Sequence, residues 1–179
     1  MKTLIFNGSP RKNGDSLTLI KKMLTVLNGD KEIINAYYED IKPCNDCRYC
    51  WENQGCVIDD DMQDVYKLLD EVANVIISSP IYFSEITGEL LNVFSRLQTW
   101  YVEKHIKKNK DFKIKKKNGI LILTGGGDGH YKKAEDTAKI IFKQINTELI
   151  GKIYSLKTNV VPAINDDKAL LKAEHFAKK

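Results

Sequence analysis

Thr3-Leu4-Ile5-Phe6-Asn7-Gly8-Ser9-Pro10-Arg11-Lys12-Asn13-Gly14-Asp15-Ser16-Leu17 decides how this chain is read. Thr3 to Phe6 form a short apolar strand. Hydroxyls, glycines and one arginine follow, and a helical pattern then begins at once. The backbone N–H groups of a helix's first turn point outward unpaired, and the helix dipole favours an anion there. Arg11 adds a planar, bidentate charged fork, while Ser9 and Ser16 offer neutral hydrogen bonds. The stretch contains neither G-x-x-x-x-G-K-[ST], the phosphate loop of nucleoside triphosphatases, nor G-x-G-x-x-G, the dinucleotide fingerprint. A loop that relies on hydroxyls and arginine suits a terminal phosphate monoester, and so a mononucleotide. The plainer alternative is a polar turn in which Asp15 or Ser16 merely caps the helix.

Continuous apolar runs recur at Val75-Ile76-Ile77 and Ile120-Leu121-Ile122-Leu123. Such runs mark strands buried on both faces of a parallel sheet. Residues 31–38 and 152–161 read as two further strands. Helical spacing unites Ile20, Leu24 and Leu27, then Met62, Val65, Leu69 and Val72. It recurs in Leu90, Phe94, Leu97 and Tyr101, and in Ile141, Ile145 and Leu149, and a short helix from about Asp166 closes the chain. The alternation β-α-β-α-β-α-β-α-β-α implies a single α/β domain over residues 1–179, a doubly wound sheet that binds ligands at the carboxyl ends of its strands.

Three polar segments fall at that edge: the Ser9–Ser16 loop, Ser78-Ser79-Pro80-Ile81-Tyr82-Phe83, and Thr124-Gly125-Gly126-Gly127-Asp128-Gly129-His130. Pro80 and Ile81 make a rigid turn beside two aromatics, Tyr82 and Phe83, which offer stacking area to a flat heterocycle. Thr124 and the glycines Gly125, Gly126 and Gly127 let the backbone approach a ligand closely. Taken singly, the aromatics read as packing beneath the next helix and the glycines as a flexible turn. Three non-adjacent loops converging on one edge favour a ligand.

Composition sets outer bounds. A chain of 179 residues, 42% hydrophobic and 29% charged, is that of a globular protein long enough to bury a full core. The apolar stretch before Asn7 is too short for a signal peptide and no run reaches membrane-spanning length, so a cytoplasmic protein without a membrane partner is expected. The net charge of +4 is mild, and eight lysines fall between Lys104 and Lys117. With few arginines or aromatics among them, that stretch reads as a solvated loop, not a nucleic-acid patch. It can still attract an anionic cofactor or an acidic electron-transfer partner. His105, His130 and His175 are too scattered to suggest a metal site.

All four cysteines, Cys44, Cys47, Cys50 and Cys56, form C-x2-C-x2-C-x5-C. Disulfides are not the default in a cytoplasmic chain. Structural zinc usually takes two C-x-x-C pairs a dozen or more residues apart, a poor fit here. Three cysteines at successive spacings of three do resemble the ferredoxin-type run around a cubane cluster, although the fourth is placed differently and no proline follows it.

The stretches GSPRKNGDS (8–16), SSPIYFSEITGELL (78–91) and TGGG (124–127) resemble the flavodoxin-like NADPH-dependent FMN reductase family, including its iron–sulfur flavoproteins. The resemblance implies a flavodoxin-like, doubly wound, five-stranded parallel sheet with helices on both faces. It further implies FMN with its phosphate at Ser9, Arg11, Ser16 and the Leu17 amide, with Asn13 also in the cofactor site. The isoalloxazine would then lie against Pro80, Ile81, Tyr82 and Phe83 and the Thr124–Gly127 loop. No catalytic side chain is required, because the flavin carries the chemistry. One departure stands out: family loops often read Gly-Asn-Thr where this chain has Gly14-Asp15-Ser16, which places a carboxylate near a phosphate.

The cysteine spacing resembles the compact motif of the iron–sulfur flavoproteins, with Cys44, Cys47, Cys50 and Cys56 as ligands to a [4Fe–4S] cluster. Similar cysteines in other relatives, followed by an Asp-Asp-Met like Asp60-Asp61-Met62, are redox-active thiols or simply pack, and both readings stay open. The activity implied is hydride uptake from NAD(P)H, with electrons passed to a flavin, quinone, metal ion or protein. An electron carrier without useful nicotinamide turnover is the second reading, and a metal-binding or regulatory module on a degenerate flavodoxin fold, its phosphate loop empty, the third. The stripe from Leu90 to Tyr101 suggests a homodimer or higher homo-oligomer.

Overall fold

Alternate residues of the buried strands go to opposite cores, which is what makes the sheet doubly covered. Residues 1–178 are described by a computed structural model. Its strands are β1 (Thr3–Asn7), β2 (Lys31–Asn35), β3 (Asn74–Pro80), β4 (Lys117–Gly125) and β5 (Thr147–Leu156). They form one sheet, every pairing parallel, in the order β2-β1-β3-β4-β5. The helices are α1 (Asp15–Leu24), α2 (Tyr49–Glu52), α3 (Met62–Glu71), α4 (Gly88–Ser95), α5 (Gln98–Tyr101), α6 (Lys132–Gln144) and α7 (Asp167–Ala177). Leu4, Phe6, Val75, Ile77, Leu121 and Leu123 pack with α3, α4 and α6. Ile5, Ile76, Ile120, Ile122 and Ile153 pack with α1 and α7. The period of two thus splits continuous apolar runs between two cores, as a parallel sheet requires. From β1 the chain crosses one way to β2 and back past β1 to β3, so the crevice opens between β1 and β3.

Several boundaries differ from the sequence expectation. β2 stops at Asn35, and residues 36–39 turn away, with Tyr38 donating to the Pro10 carbonyl at 2.5 Å. α1 ends at Leu24, leaving Leu27 outside it. α6 ends at Gln144 because Asn146 adopts a left-handed φ of 53°, a conformation that asparagine tolerates and that stops a helix. Leu149 therefore lies on β5, which begins at Thr147 and ends at Leu156, short of the turn through Lys157. The Leu90–Tyr101 stripe divides into α4 and α5, followed by a π-helical turn at Val102–Ile106. Leu90, Phe94 and Leu97 are buried in the chain's own core, while Leu91 and Tyr101 remain exposed.

Lys117, expected in a solvated loop, is instead buried at the start of β4. Its Nζ donates to the carbonyls of Lys115 at 2.9 Å and Ile145 at 3.3 Å, and burial pushes its pKa down. No helix among the described residues is long and apolar enough to cross a membrane.

Candidate functional site

At the carboxyl edge of β1, β3 and β4 lies an open cleft of about 530 Å³. Its floor is tied together by two hydroxyls: Ser16 Oγ and Thr124 Oγ1 stand 2.8 Å apart, both buried. This bond joins the loop after β1 to the end of β4 across 108 residues of sequence. Ser9 is buried beside them, and its Oγ accepts the Arg11 amide at 3.2 Å. The turn between β1 and α1 is thereby fixed by its own hydroxyl. No side chain caps α1; its N-cap is Gly14. The plainer reading of the loop, a self-capped turn, is thus not what forms. The N-terminus of a ten-residue helix opens into the cleft with Arg11 exposed at its rim.

Asp15 resolves the departure noted in the sequence. Its Oδ1 accepts the amide of Ala163 at 2.8 Å, so the carboxylate is engaged by the segment after β5 and does not cap its own helix. Gly8 is required by close approach. A Cβ there would meet Leu90 Cδ1 at 2.3 Å and Thr87 Oγ1 at 2.7 Å, so the loop lies directly on the start of α4.

Opposite the phosphate-type loop, Ile81 donates its amide to Thr124 O at 2.8 Å, which fastens the Pro80–Phe83 segment to β4. Tyr82 and Glu85 then exchange both backbone hydrogen bonds, at 2.9 and 3.0 Å, around Phe83 and Ser84. Those two central residues have φ of 50° and 67°, the pattern of a type I′ turn normally occupied by Asn-Gly. Holding two side-chain-bearing residues there costs about 1–2 kcal/mol each. The turn is anchored from outside: Ala134 donates its amide to Ser84 O at 2.9 Å, and Thr137 Oγ1 donates to Glu85 Oε2 at 2.8 Å. Its result is a fully exposed Phe83 and a roughly half-exposed Tyr82 at the cleft mouth.

Ser9, Arg11, Ser16, Pro80, Ile81, Tyr82, Thr124, Gly125 and Gly126 line the cleft together. Asn13, Leu17, Phe83 and Gly127 do not line it. Asn13 is exposed and accepts from Lys21 Nζ at 3.4 Å, and Leu17 packs toward the α1–α7 core. His105, His130 and His175 are all exposed. Sequence reasoning missed Thr158 and Asn159, which line the cleft from beyond β5. Asn159 is also why Gly126 carries no side chain: a Cβ there would meet Asn159 Nδ2 at 2.6 Å. The Thr158 amide donates to Gly125 O at 3.0 Å, a contact with no local sequence signal.

A second cavity of about 620 Å³ is lined by all four cysteines. Cys44 and Cys47 are exposed, Cys50 and Cys56 half-buried, and none is in a disulfide. The loop that carries them is held at several points. Cys44 donates its amide to Ser95 Oγ at 2.9 Å, Gln63 Nε2 donates to the Cys56 and Ile58 carbonyls at 3.1 and 2.6 Å, and Lys107 Nζ donates to Asn53 O at 2.7 Å. The single helical turn α2 inside this loop carried no sequence signal. Burial pushes the Cys50 thiol up, and nearby Cys44, Cys56 and Cys47 push it the same way. Four thiols this near one another resist ionising together unless a cationic group compensates them.

Among the described residues no group of three or more His, Cys, Asp or Glu could hold a single metal ion. A cubane makes a different demand, since each thiolate serves its own iron and the four sulfurs stand apart. Four soft donors around one cavity fit that demand in their chemistry.

A parallel sheet in the order 2-1-3-4-5, with an anion-ready loop at its β1/β3 crevice, defines a flavodoxin-like protein. Residues 1–160 match the NADPH-dependent FMN reductases, and the chain belongs to that family. It is 28% identical over 129 residues to an iron-sulfur flavoprotein of Methanosarcina thermophila, covering 70% of this chain and 64% of that protein. An iron-sulfur flavoprotein of Archaeoglobus fulgidus is 26% identical over 182 residues, covering 100% of this chain and 78% of that one. The match thus spans somewhat under two thirds of the first of these relatives. A Bacillus anthracis FMN-dependent NADH-azoreductase solved in complex with FMN has the same fold, with a TM-score of 0.69, 17% identity, and coverage of 98% of this chain and 97% of that one.

Proposed function

We propose that this chain binds FMN in the β1/β3/β4 cleft and acts as an oxidoreductase, drawing on NAD(P)H and delivering electrons to a small acceptor or a protein. The observation that carries the reading is the Ser16–Thr124 bridge, which sets an uncapped helix N-terminus and Arg11 opposite the Pro80–Tyr82 turn in one cleft. Ser9, Ser16 and Arg11 would hold the phosphate, with the first amides of α1. The Leu17 amide belongs to that first turn although its side chain packs away from the cleft, and Asn13 lies just outside the cleft, where the reading gives it support of that loop. Pro80, Ile81 and Tyr82 would flank the flat ring, Phe83 would cover it from the rim, and Thr124 to Gly127 would let it lie close to the backbone. FMN, when bound, supplies hydride uptake from a nicotinamide and release of electrons to an acceptor.

The proposal extends to the cysteine cavity. Cys44, Cys47, Cys50 and Cys56 would hold a [4Fe–4S] cluster, whose chemistry is the relay of single electrons. Phe83 is fully exposed at the cleft mouth, and a second copy packing over it would make a homodimer part of the same reading.

The first test is the visible spectrum of anaerobically purified protein before and after NADPH. Flavin bands that bleach with NADPH, over a broad brown shoulder, are expected. Flavin bands that only dithionite bleaches would support an electron carrier instead, a reading favoured by the iron–sulfur flavoproteins among the relatives. Absence of flavin bands, even after FMN is added, would overturn the assignment.

A further inference from the structure

Beneath the cysteine cavity lies an ion pair that the flavin site does not use. Arg96, which follows α4, and Asp60, which precedes α3, meet at 2.6 Å with both side chains wholly buried. Taking two charges out of water is expensive, and such a pair persists only when further hydrogen bonds satisfy the remaining donors. Here they run to the ends of one loop. Arg96 Nη1 donates to Lys42 O at 2.9 Å as well as to Asp60 Oδ2, and Nη2 donates to Ile58 O at 3.2 Å. Asp60 in turn accepts the Lys42 amide at 3.0 Å and the Met62 amide at 3.2 Å. One guanidinium thus fastens Lys42, just before Cys44, to Ile58, just after Cys56.

Arg96 also forms part of the cavity wall. A guanidinium presents five N–H bonds and accepts none. Its Nε is buried with no hydrogen-bond partner among the described residues. The neighbouring hydroxyl of Tyr66 is engaged with the Arg96 carbonyl at 2.7 Å. An unpartnered buried charged donor next to the wall of a thiol-lined cavity is available to an anionic group held there. Burial works against the charged guanidinium, yet the hydrogen bond and charge of Asp60 hold its pKa above the usual value, so it stays charged beside a cavity that Cys56 also lines.

We propose that Arg96 is a positioning residue for the cysteine cavity: it pins both ends of the Cys44–Cys56 loop and presents its free Nε–H and positive charge to the thiolate-bound iron–sulfur group. The inference rests on the reading of the four cysteines as ligands. A buried positive charge beside a group that becomes more negative on reduction favours the reduced form, and so does a hydrogen bond to its sulfurs. Arg96 therefore raises the group's midpoint potential, and Asp60, one shell further out, offsets part of that effect.

The test is a redox titration, followed by electron paramagnetic resonance, of protein reconstituted anaerobically with iron and sulfide. Arg96→Gln is expected to lower the midpoint potential of the cluster, and Asp60→Asn to raise it. Arg96→Lys, which keeps the charge and can still meet Asp60, should retain the iron content with a smaller fall. FMN affinity serves as the folding control and should not change in any of the three. Shifts of opposite sign would establish the electrostatic role, since a purely structural staple would weaken iron loading in both variants without reversing the shift. Equal or absent shifts at full iron content would overturn the role of Arg96 while leaving the ligand reading intact. Should Arg96→Gln fail to fold, the rise in Asp60→Asn and the smaller fall in Arg96→Lys decide the matter alone. Wild-type protein that takes up no iron would overturn the ligand reading, and this inference with it.

Discussion

Arg11 is the residue on which the phosphate assignment turns. It sits exposed at the rim of the cleft, and among the described residues its guanidinium makes no ion pair, unlike the buried Arg96. Removing it leaves the loop's internal hydrogen bond, Arg11 N–H to Ser9 Oγ, untouched because that bond uses the backbone. Arg11→Ala should therefore weaken FMN binding by about 1.5–3 kcal/mol, the worth of a charge-assisted bond, at nearly unchanged stability. Flavin fluorescence titration reads this as a rise of roughly ten- to a hundredfold in the dissociation constant. An unchanged constant would remove Arg11 from the site. Ser9, Arg11 and Ser16 were legible in the sequence because all three lie on one strand-to-helix turn, where local chemistry dictates the geometry. Thr158 and Asn159 were not, because they reach the cleft only through the packing of the segment after β5. Lys117 misled for a related reason: seven lysines precede it, yet it alone begins a buried strand.

The turn from Tyr82 to Glu85 shows how an element can be held against its own preference. A left-handed conformation costs a side-chain-bearing residue about 1–2 kcal/mol, and both Phe83 and Ser84 adopt it. Ser84 contributes to the anchoring through its carbonyl, which accepts the Ala134 amide and would do so equally from glycine. Ser84→Gly should relieve the strain while giving back roughly 0.5–1 kcal/mol to the greater freedom of glycine in the unfolded chain. A net gain of about 0.5–1 kcal/mol in urea denaturation of the FMN-free protein is expected. A loss would mean that the Ser84 side chain stabilises the turn directly. Among the larger elements, the three strands with continuous apolar runs were readable because burial on both faces leaves no polar register. The sequence pattern places β5 five residues too late, since its burial alternates and the helix stop at Asn146 carries no glycine or proline. The short α2 turn has no apolar periodicity at all and depends on the cysteine loop being tied to Ser95, Gln63 and Lys107.

At the scale of the whole molecule, the outer edge of the sheet is secured by charge where the centre is secured by apolar packing. Glu135 on α6 is nearly buried against β5, and its carboxylate accepts from Tyr154 Oη at 2.7 Å and Lys152 Nζ at 3.2 Å and pairs with Lys139. Burial alone would push its pKa up. The bonds from Lys139, Tyr154 and Lys152 prevail and hold it near 2, against an ordinary value of 4.5. A carboxyl depressed on folding contributes stability that is fully present above its unfolded value and disappears as the pH falls through its folded one. The gap corresponds to about 3 kcal/mol, present at neutral pH and lost between pH 4.5 and about 2. Glu135→Gln should therefore cost about 3 kcal/mol at pH 7, and the deficit relative to wild type should shrink steadily below pH 4.5 until the two converge near pH 2. Urea denaturation of both proteins across that range measures it. A deficit that stays constant with pH would assign the effect to lost packing between α6 and β5, because a volume or shape change has no reason to titrate.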